Sequence, residues 1–187
     1  MKLLIFGPPG SGKGTAAAAI CNKDKNYVHI STGDILRKEI EDNTELGQKA
    51  KVFIDQGHLV SDESLAEIVL NRLKSLNNFI LDGYPRTVSQ AEFIIKKIQF
   101  EGLIWLDVQE DISTGRMLRR GRNDDKIAII NERLKVYHEQ TYDVLDFLIK
   151  NSTIPMVKIN SNCSIKTMSD AVLLSLEDFH QEAIGQS

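Results

Sequence analysis

Nine residues near the amino end, Gly7-Pro8-Pro9-Gly10-Ser11-Gly12-Lys13-Gly14-Thr15, have the composition of a loop that holds phosphate. Glycines let successive backbone N–H groups turn inward with no Cβ in the way. Together with the positive end of a following helix, those N–H groups can grip phosphate oxygens. Lys13 adds a point charge on a flexible stem, able to follow the β- and γ-phosphates of a nucleotide. The run departs from the pattern GxxxxGK[ST]. Gly14 stands where a magnesium-ligating hydroxyl is usual, and Thr15 comes one place later. Mg²⁺ is therefore expected to be held mainly by phosphate oxygens and water, which suits an ion that dehydrates reluctantly. The plain alternative is a glycine-rich turn with no ligand.

Further along, cations recur. Arg116, Arg119 and Arg120 share a helix face by their spacing, Arg122 follows in a Gly-Arg-Asn-Asp turn, and Arg133 sits on the next helix. Phosphoryl transfer needs alignment and positive charge around three equatorial oxygens rather than a side-chain nucleophile, and such a cluster can supply it. Arg37 lies three residues after Asp34, and Arg86 follows Asp82-Gly83-Tyr84-Pro85. Each offers a planar fork of donors suited to a phosphate. Asp82 ends an apolar run, where a carboxylate can hold water on Mg²⁺ or make an Asx turn with Gly83. Plainer readings stand beside these. Ser31-x-x-Asp34 and Thr87-x-x-Gln90 have the form of capping boxes, and Asp34 with Arg37 could be a surface pair. The arginine cluster could be a solvated patch or a nucleic-acid contact. Arg119 is left to solvent and His58 to the surface. Cys163 has no evident base beside it and is read as non-catalytic.

These residues need a scaffold. Leu3 to Phe6 is a continuous apolar run cut off by a Gly-Pro turn, the form of a strand buried on both faces. Strands are likewise expected over Tyr27–Ile30, Phe79–Leu81, Leu103–Val108 and Ile154–Ile159. Between them fall helices over about 13–22, two or more over 31–76, one opened by Thr87 and carrying Ile94, Ile95 and Ile98, two joined by the turn 121–124, and a last one from Ser164 to about Phe179. The second of the joined pair is long, with a stripe of Ile127, Ile130, Leu134, Tyr137, Leu145 and Leu148. Alternating strands and helices predict an α/β fold, a five-stranded parallel sheet with helices on both faces. The 187 residues fit a single domain. A formal net charge of −3 argues against nucleic acid or an anionic membrane as the main partner. No apolar stretch nears the ~18 residues of a membrane span, and the first apolar run is too short for a secretory signal. Two cysteines, Cys21 and Cys163, form no metal or disulfide pattern, so reducing cytoplasm is expected.

The segment Gly7–Thr15 resembles the phosphate loop of adenylate kinases, P-loop enzymes of the nucleoside-monophosphate-kinase fold. His29-Ile30-Ser31-Thr32-Gly33-Asp34-Ile35-Leu36-Arg37 is similar to their monophosphate-binding segment, and Phe79-Ile80-Leu81-Asp82-Gly83-Tyr84-Pro85-Arg86-Thr87 to another, with Tyr84 in the place of a Phe. The resemblance runs from Lys2 to about Leu176. It implies reversible phosphoryl transfer from ATP to AMP giving two ADP, with Mg²⁺ accompanying ATP. On it, Gly10, Ser11, Gly12, Lys13, Gly14 and Thr15 hold the donor phosphates, and Arg116 and the Cys163 carbonyl meet the donor adenine. Thr32, Arg37, Leu59, Val60, Gly83, Arg86, Gln90, Arg122 and Arg133 bind AMP, Gln90 reading the adenine edge. Lys13, Arg86, Arg120, Arg122 and Arg133 act on the transferring group, and Asp82 and Asp34 touch the metal through water only. Asp124 and Asp125 match an acidic pair that orients the arginines. Cys163 departs from the family, which has a glycine there. A second departure is the lid, about 120–124, a few residues where relatives have a longer loop or a small domain. The acceptor-binding helical segment is about 31–76. The expected protein is a cytoplasmic monomer.

The nearest rival is a UMP/CMP kinase using ATP, against which Thr32 and Thr87-x-x-Gln90 weigh. A GTP-hydrolysing switch would want Asn-Lys-x-Asp, and Asn22-Lys23-Asp24-Lys25 has Lys25 in the Asp place. A nucleic-acid binder would want aromatics interleaved with the arginines.

Overall fold

Leu3, Leu4, Ile5 and Phe6 form the middle of the sheet because both faces of this run are apolar and both are covered. The computed structural model describes residues 1–60 and 62–185, with side chains described over 1–60 and 65–181. Strand β1 (Lys2–Phe6) lies between β3 (Phe79–Asp82) and β4 (Gly102–Asp107). Beyond them β2 (Val28–Ser31) pairs with β3, and β5 (Met156–Asn160) with β4. All pairs are parallel, in the order β2-β3-β1-β4-β5. Register sets Ser31 and Ile5 level with Asp82, and Asp107 level with Asn160, so the strand ends share one edge. Strand order reverses at β1, and a crevice opens at the carboxyl edge of an open parallel sheet where that happens.

Alternate residues of β1 feed two cores. On one face Leu3 and Ile5 meet α1 (Lys13–Lys23) and α9 (Ile165–Gly185) through Ala16, Ala17, Ile20, Met168 and Val172. On the other, Leu4 and Phe6 meet α4 (Asp62–Leu73), α5 (Val88–Ile95) and α8 (Tyr142–Asn151) through Val69, Leu73, Ala91, Ile94, Val144 and Leu148. Helices α2 (Thr32–Glu41) and α3 (Glu45–Gln56) pack on each other beside β2, and α6 (Glu110–Arg120) precedes α7 (Ile127–Val136). Helix α6 opens with Glu110 and Asp111, closes with Arg119 and Arg120, and stops at left-handed Gly121. That charge order complements its dipole and crowds cations at its carboxyl end.

Three expectations are corrected. The long helix expected after the turn 121–124 is α7, a π-helical turn over Tyr137–Thr141, and α8. Ile127 is 54% exposed and off the buried stripe, because α7 meets the core only from Ile130 onward. Helix α5 ends at Ile95, so Ile98 packs on the core from the following turn.

Candidate functional site

Strand β1 runs straight into the glycine-rich loop, and Gly12 in left-handed geometry is the residue before α1. Gly10 is needed for both shape and space: its φ is 78°, and a Cβ there would lie 2.4 Å from the Ser113 carbonyl oxygen. The loop is thus pressed against α6. Lys13 folds back along it, its Nζ donating to the carbonyl oxygens of Gly7 at 2.7 Å and Pro8 at 3.0 Å. Burial pulls its pKa down to about 8. Asp82 opposes that shift, and Arg86, Arg133 and Arg120 reinforce it.

A cleft of about 840 Å³ opens above the loop. Just past β3 Gly83, at φ 80°, lets two side chains converge: a Cβ there would lie 2.6 Å from Thr32 Oγ1 and 2.9 Å from an Arg86 Nη. Both residues use its carbonyl, Thr32 Oγ1 donating at 2.8 Å and Arg86 Nε at 2.7 Å. Asp82 Oδ2 lies 3.2 Å from His29 Nε2. Ser31 caps α2 by accepting the Asp34 N–H at 3.2 Å. Asp34 Oδ1 pairs with Arg37 and lies 3.4 Å from an Arg122 Nη. Burial raises the Asp34 carboxyl, but Arg37, Ser31 and Arg122 more than offset it, leaving it below the ordinary carboxylate range.

Arg120, Arg133 and the Arg122 backbone hang on two carboxylates. Asp125, whose side chain has no exposure, accepts from Arg120 Nε at 2.9 Å and Nη2 at 2.7 Å, and from the Arg122 N–H at 3.0 Å. Asp124 accepts from Arg133 Nη1 at 3.0 Å, and the same nitrogen is 3.5 Å from Asp125. Burial draws Arg133 down to about 10, with Asp124 opposing and Arg86 and Arg120 adding to the effect. The acidic pair holds Arg120 and Arg133, as the family resemblance implied. Beyond the end of β5 Arg116 donates to the Ser161 and Cys163 carbonyls at 2.7 and 3.2 Å.

Most of the residues named from sequence meet in this one cleft. Gly10, Gly12, Lys13, Gly14, Thr15, Asp34, Arg37, Leu59, Asp82, Gly83, Arg86, Arg116, Arg120, Arg122, Arg133 and Cys163 line it. Ser11, Thr32, Val60 and Gln90 are buried. Thr87 caps α5 by accepting the Gln90 N–H at 3.3 Å, and Gln90 Oε1 accepts the N–H of Arg86, the residue before the cap, at 2.7 Å. Ser61, beside Val60, lies outside the described residues. Arg119, expected in solvent alone, is exposed but belongs to the cleft wall. His58 is half-exposed, 3.5 Å from Glu132. Sequence reasoning did not assign Ser161, Tyr137, Thr141 and Ile165 to the site, and they also line the cleft. Thr141 Oγ1 donates to the Arg86 carbonyl at 3.1 Å from within the π turn. Such turns often mark functional sites, but no signal in the sequence marks this one.

A phosphate loop at the reversal point of a parallel sheet, facing arginines held by buried carboxylates, defines a P-loop phosphotransferase. The family model described as Adenylate kinase matches residues 5–153. Relatives named adenylate kinase include one from a strain of Prochlorococcus marinus, 41% identical over 162 residues, 83% of this chain and 88% of the relative. One from Corynebacterium urealyticum is 39% identical over 185 residues, 95% of this chain and 99% of the relative. One from Petrotoga mobilis is 35% identical over 218 aligned positions, 97% and 100% of the two chains. The chain belongs to the adenylate kinase family and is an enzyme.

Proposed function

We propose that this chain carries a phosphoryl group reversibly from ATP to AMP, giving two ADP. The observation that carries the reading is the shared cleft: Arg37 and Arg86 line the same cavity as Lys13 and the loop, and so do Arg120, Arg122 and Arg133. The pyrimidine-monophosphate alternative loses ground to a family and a set of relatives that all bear the adenylate name. In this reading the loop N–H groups and Lys13 hold the donor phosphates, and Arg116 with the Cys163 carbonyl meets the donor adenine. Arg37 and Arg86 align the acceptor phosphate, the 57–60 segment borders its base, and Gln90 reads the adenine edge. Arg120, Arg122 and Arg133 neutralise charge as the group passes, which requires no side-chain nucleophile. The 31–76 helices and the short 120–124 lid close over the two nucleotides and exclude water.

The residues present fit a hydrated Mg²⁺ that arrives with ATP. Gly14 has no side-chain ligand to offer, Asp82 lines the cleft close enough to Lys13 to act on its charge, and Asp34 also reaches the cleft. Among the described residues no group of three or more His, Cys, Asp or Glu could hold a metal ion alone. Asp82 and Asp34 would hold its waters, and the ion would neutralise charge on the donor phosphates. No described helix is long and apolar enough to cross a membrane. Two unpaired thiols suit reducing cytoplasm, and a monomer completes the proposal.

Acceptor choice tests the reading. With ATP as donor, AMP is expected to exceed UMP and CMP in kcat/KM by at least about a hundredfold. A pyrimidine preference would sink it. The pH profile gives a second test. A cation whose pKa is lowered loses its proton above that value, so kcat/KM for ATP is expected to fall as pH passes about 8. Bound phosphates raise the same pKa, so kcat should hold to higher pH. Equal breaks in both profiles would contradict this role for Lys13.

A further inference from the structure

The mechanism leaves one buried polar residue on the donor side unused. Ser161 follows β5, is 1% exposed, and makes four hydrogen bonds to three parts of the fold. Its N–H donates to the Asp107 carbonyl at 2.7 Å, extending the β4–β5 ladder by one residue. Its Oγ donates to the Ser11 carbonyl of the phosphate loop at 2.7 Å. The same Oγ accepts from Arg116 Nη1 at 3.2 Å, while its carbonyl accepts from Arg116 Nη2 at 2.7 Å.

From this geometry we infer that Ser161 is a positioning residue for the donor nucleotide, its hydroxyl locking the Arg116 guanidinium to the phosphate loop. The inference rests on Arg116 meeting the donor base. A guanidinium held by its terminal nitrogens cannot swing, so its face stays where a base can lie against it. Ser11 is fully buried, and its carbonyl accepts the Ser161 hydroxyl. A hydroxyl that spans both groups fixes the distance from base clamp to phosphate cradle before ATP arrives. Donor affinity gains from that preorganisation. The acceptor side, built on Gly83, Arg37 and Arg86, shares none of these bonds.

Ser161→Ala removes the hydroxyl and keeps both backbone bonds. The variant is expected to raise KM for ATP about fivefold, with KM for AMP and kcat within about twofold of the parent. Arg116→Ala is expected to raise KM for ATP by a larger factor. In the Arg116→Ala background, adding Ser161→Ala should change KM for ATP by less than about twofold, because the group it acts through is gone. An unchanged KM for ATP in Ser161→Ala, alongside a raised one in Arg116→Ala, would leave Ser161 a packing residue and overturn the inference alone. A fivefold step that persists in the double variant would also overturn it. An unchanged KM for ATP in Arg116→Ala would instead refute the donor-base reading of Arg116.

Discussion

Lys13→Met is expected to lower kcat/KM by about a thousandfold or more and to leave a protein that melts no lower than the parent. The two halves share one cause. Lys13 sits where burial and the charges of Arg86, Arg133 and Arg120 work against its proton, and only Asp82 works for it. Its folded pKa, about 8, lies below the 10.5 of an ordinary lysine. Between those values the unfolded chain binds more protons, so stability rises with pH across that window. At neutral pH the charged form is therefore a net cost to the fold. Lys13 keeps some solvent access, so we discount that cost to the order of 1–2 kcal/mol. Methionine keeps the stem and drops the charge. The bonds to the Gly7 and Pro8 carbonyls are lost with it, which offsets part of the gain. Turnover assays with thermal unfolding at pH 7 read both halves. Parent-like activity would remove Lys13 from the chemistry. A large fall in melting temperature would make it a structural residue.

What the sequence made legible follows from how far apart the cooperating groups are along the chain. Gly7 to Thr15 is contiguous, and its glycines and lysine announce a phosphate loop whatever surrounds them. Asp34 with Arg37, and Thr87 with Gln90, are single-turn pairs, so helical spacing exposes them. Both N-caps and the ion pair form in the structure, and Asp34 and Arg37 line the cleft all the same. Strand order is not local, and the contacts that depend on it were invisible. Ser161 meets Ser11 across 150 residues, and His29 meets Asp82 across 53, because the sheet sets β2 beside β3 and places β4 between β5 and β1. Thr141 reaches Arg86 only through a π turn, and one extra residue in a helix hardly disturbs an apolar stripe. Ile127 shows the converse fault, since periodicity placed an apolar residue on the stripe where the helix had not yet reached the core. Arg119 fails for a further reason: spacing gives a residue's face on α6 but not how much of that face the cleft takes in.

Asp125→Asn is expected to cost about 3 kcal/mol of stability and to lower kcat about a hundredfold, with both KM values moving less than about fivefold. Asp125 is the carboxylate on which Arg120, Arg133 and the Arg122 N–H converge, and its side chain is wholly enclosed. Burial raises its pKa, but the Arg120 bonds, the Arg122 N–H and the charge of Arg133 overcome that and hold it below the ordinary carboxylate range. A depressed carboxylate stabilises the fold above its unfolded pKa and loses that contribution as pH falls through its folded pKa. The variant should therefore show a weaker acid dependence of stability than the parent. Asparagine has nearly the same shape but leaves cations facing one another across an uncharged amide. Arg120 is about a third exposed and water screens part of its loss, whereas Arg133 is better enclosed and bears more of it. The guanidiniums then sit too far apart, or turned out, when charge develops on the passing phosphoryl group. Binding of either nucleotide suffers less, since Lys13, the loop, Arg37 and Arg86 do not depend on Asp125. Denaturant unfolding across pH 3–8, with steady-state kinetics in both substrates, separates these effects. A variant with parent-like kcat would show that the lid arginines do not need this anchor, and a kcat loss matched by an equal rise in one KM would move them from the transition state to ground-state binding.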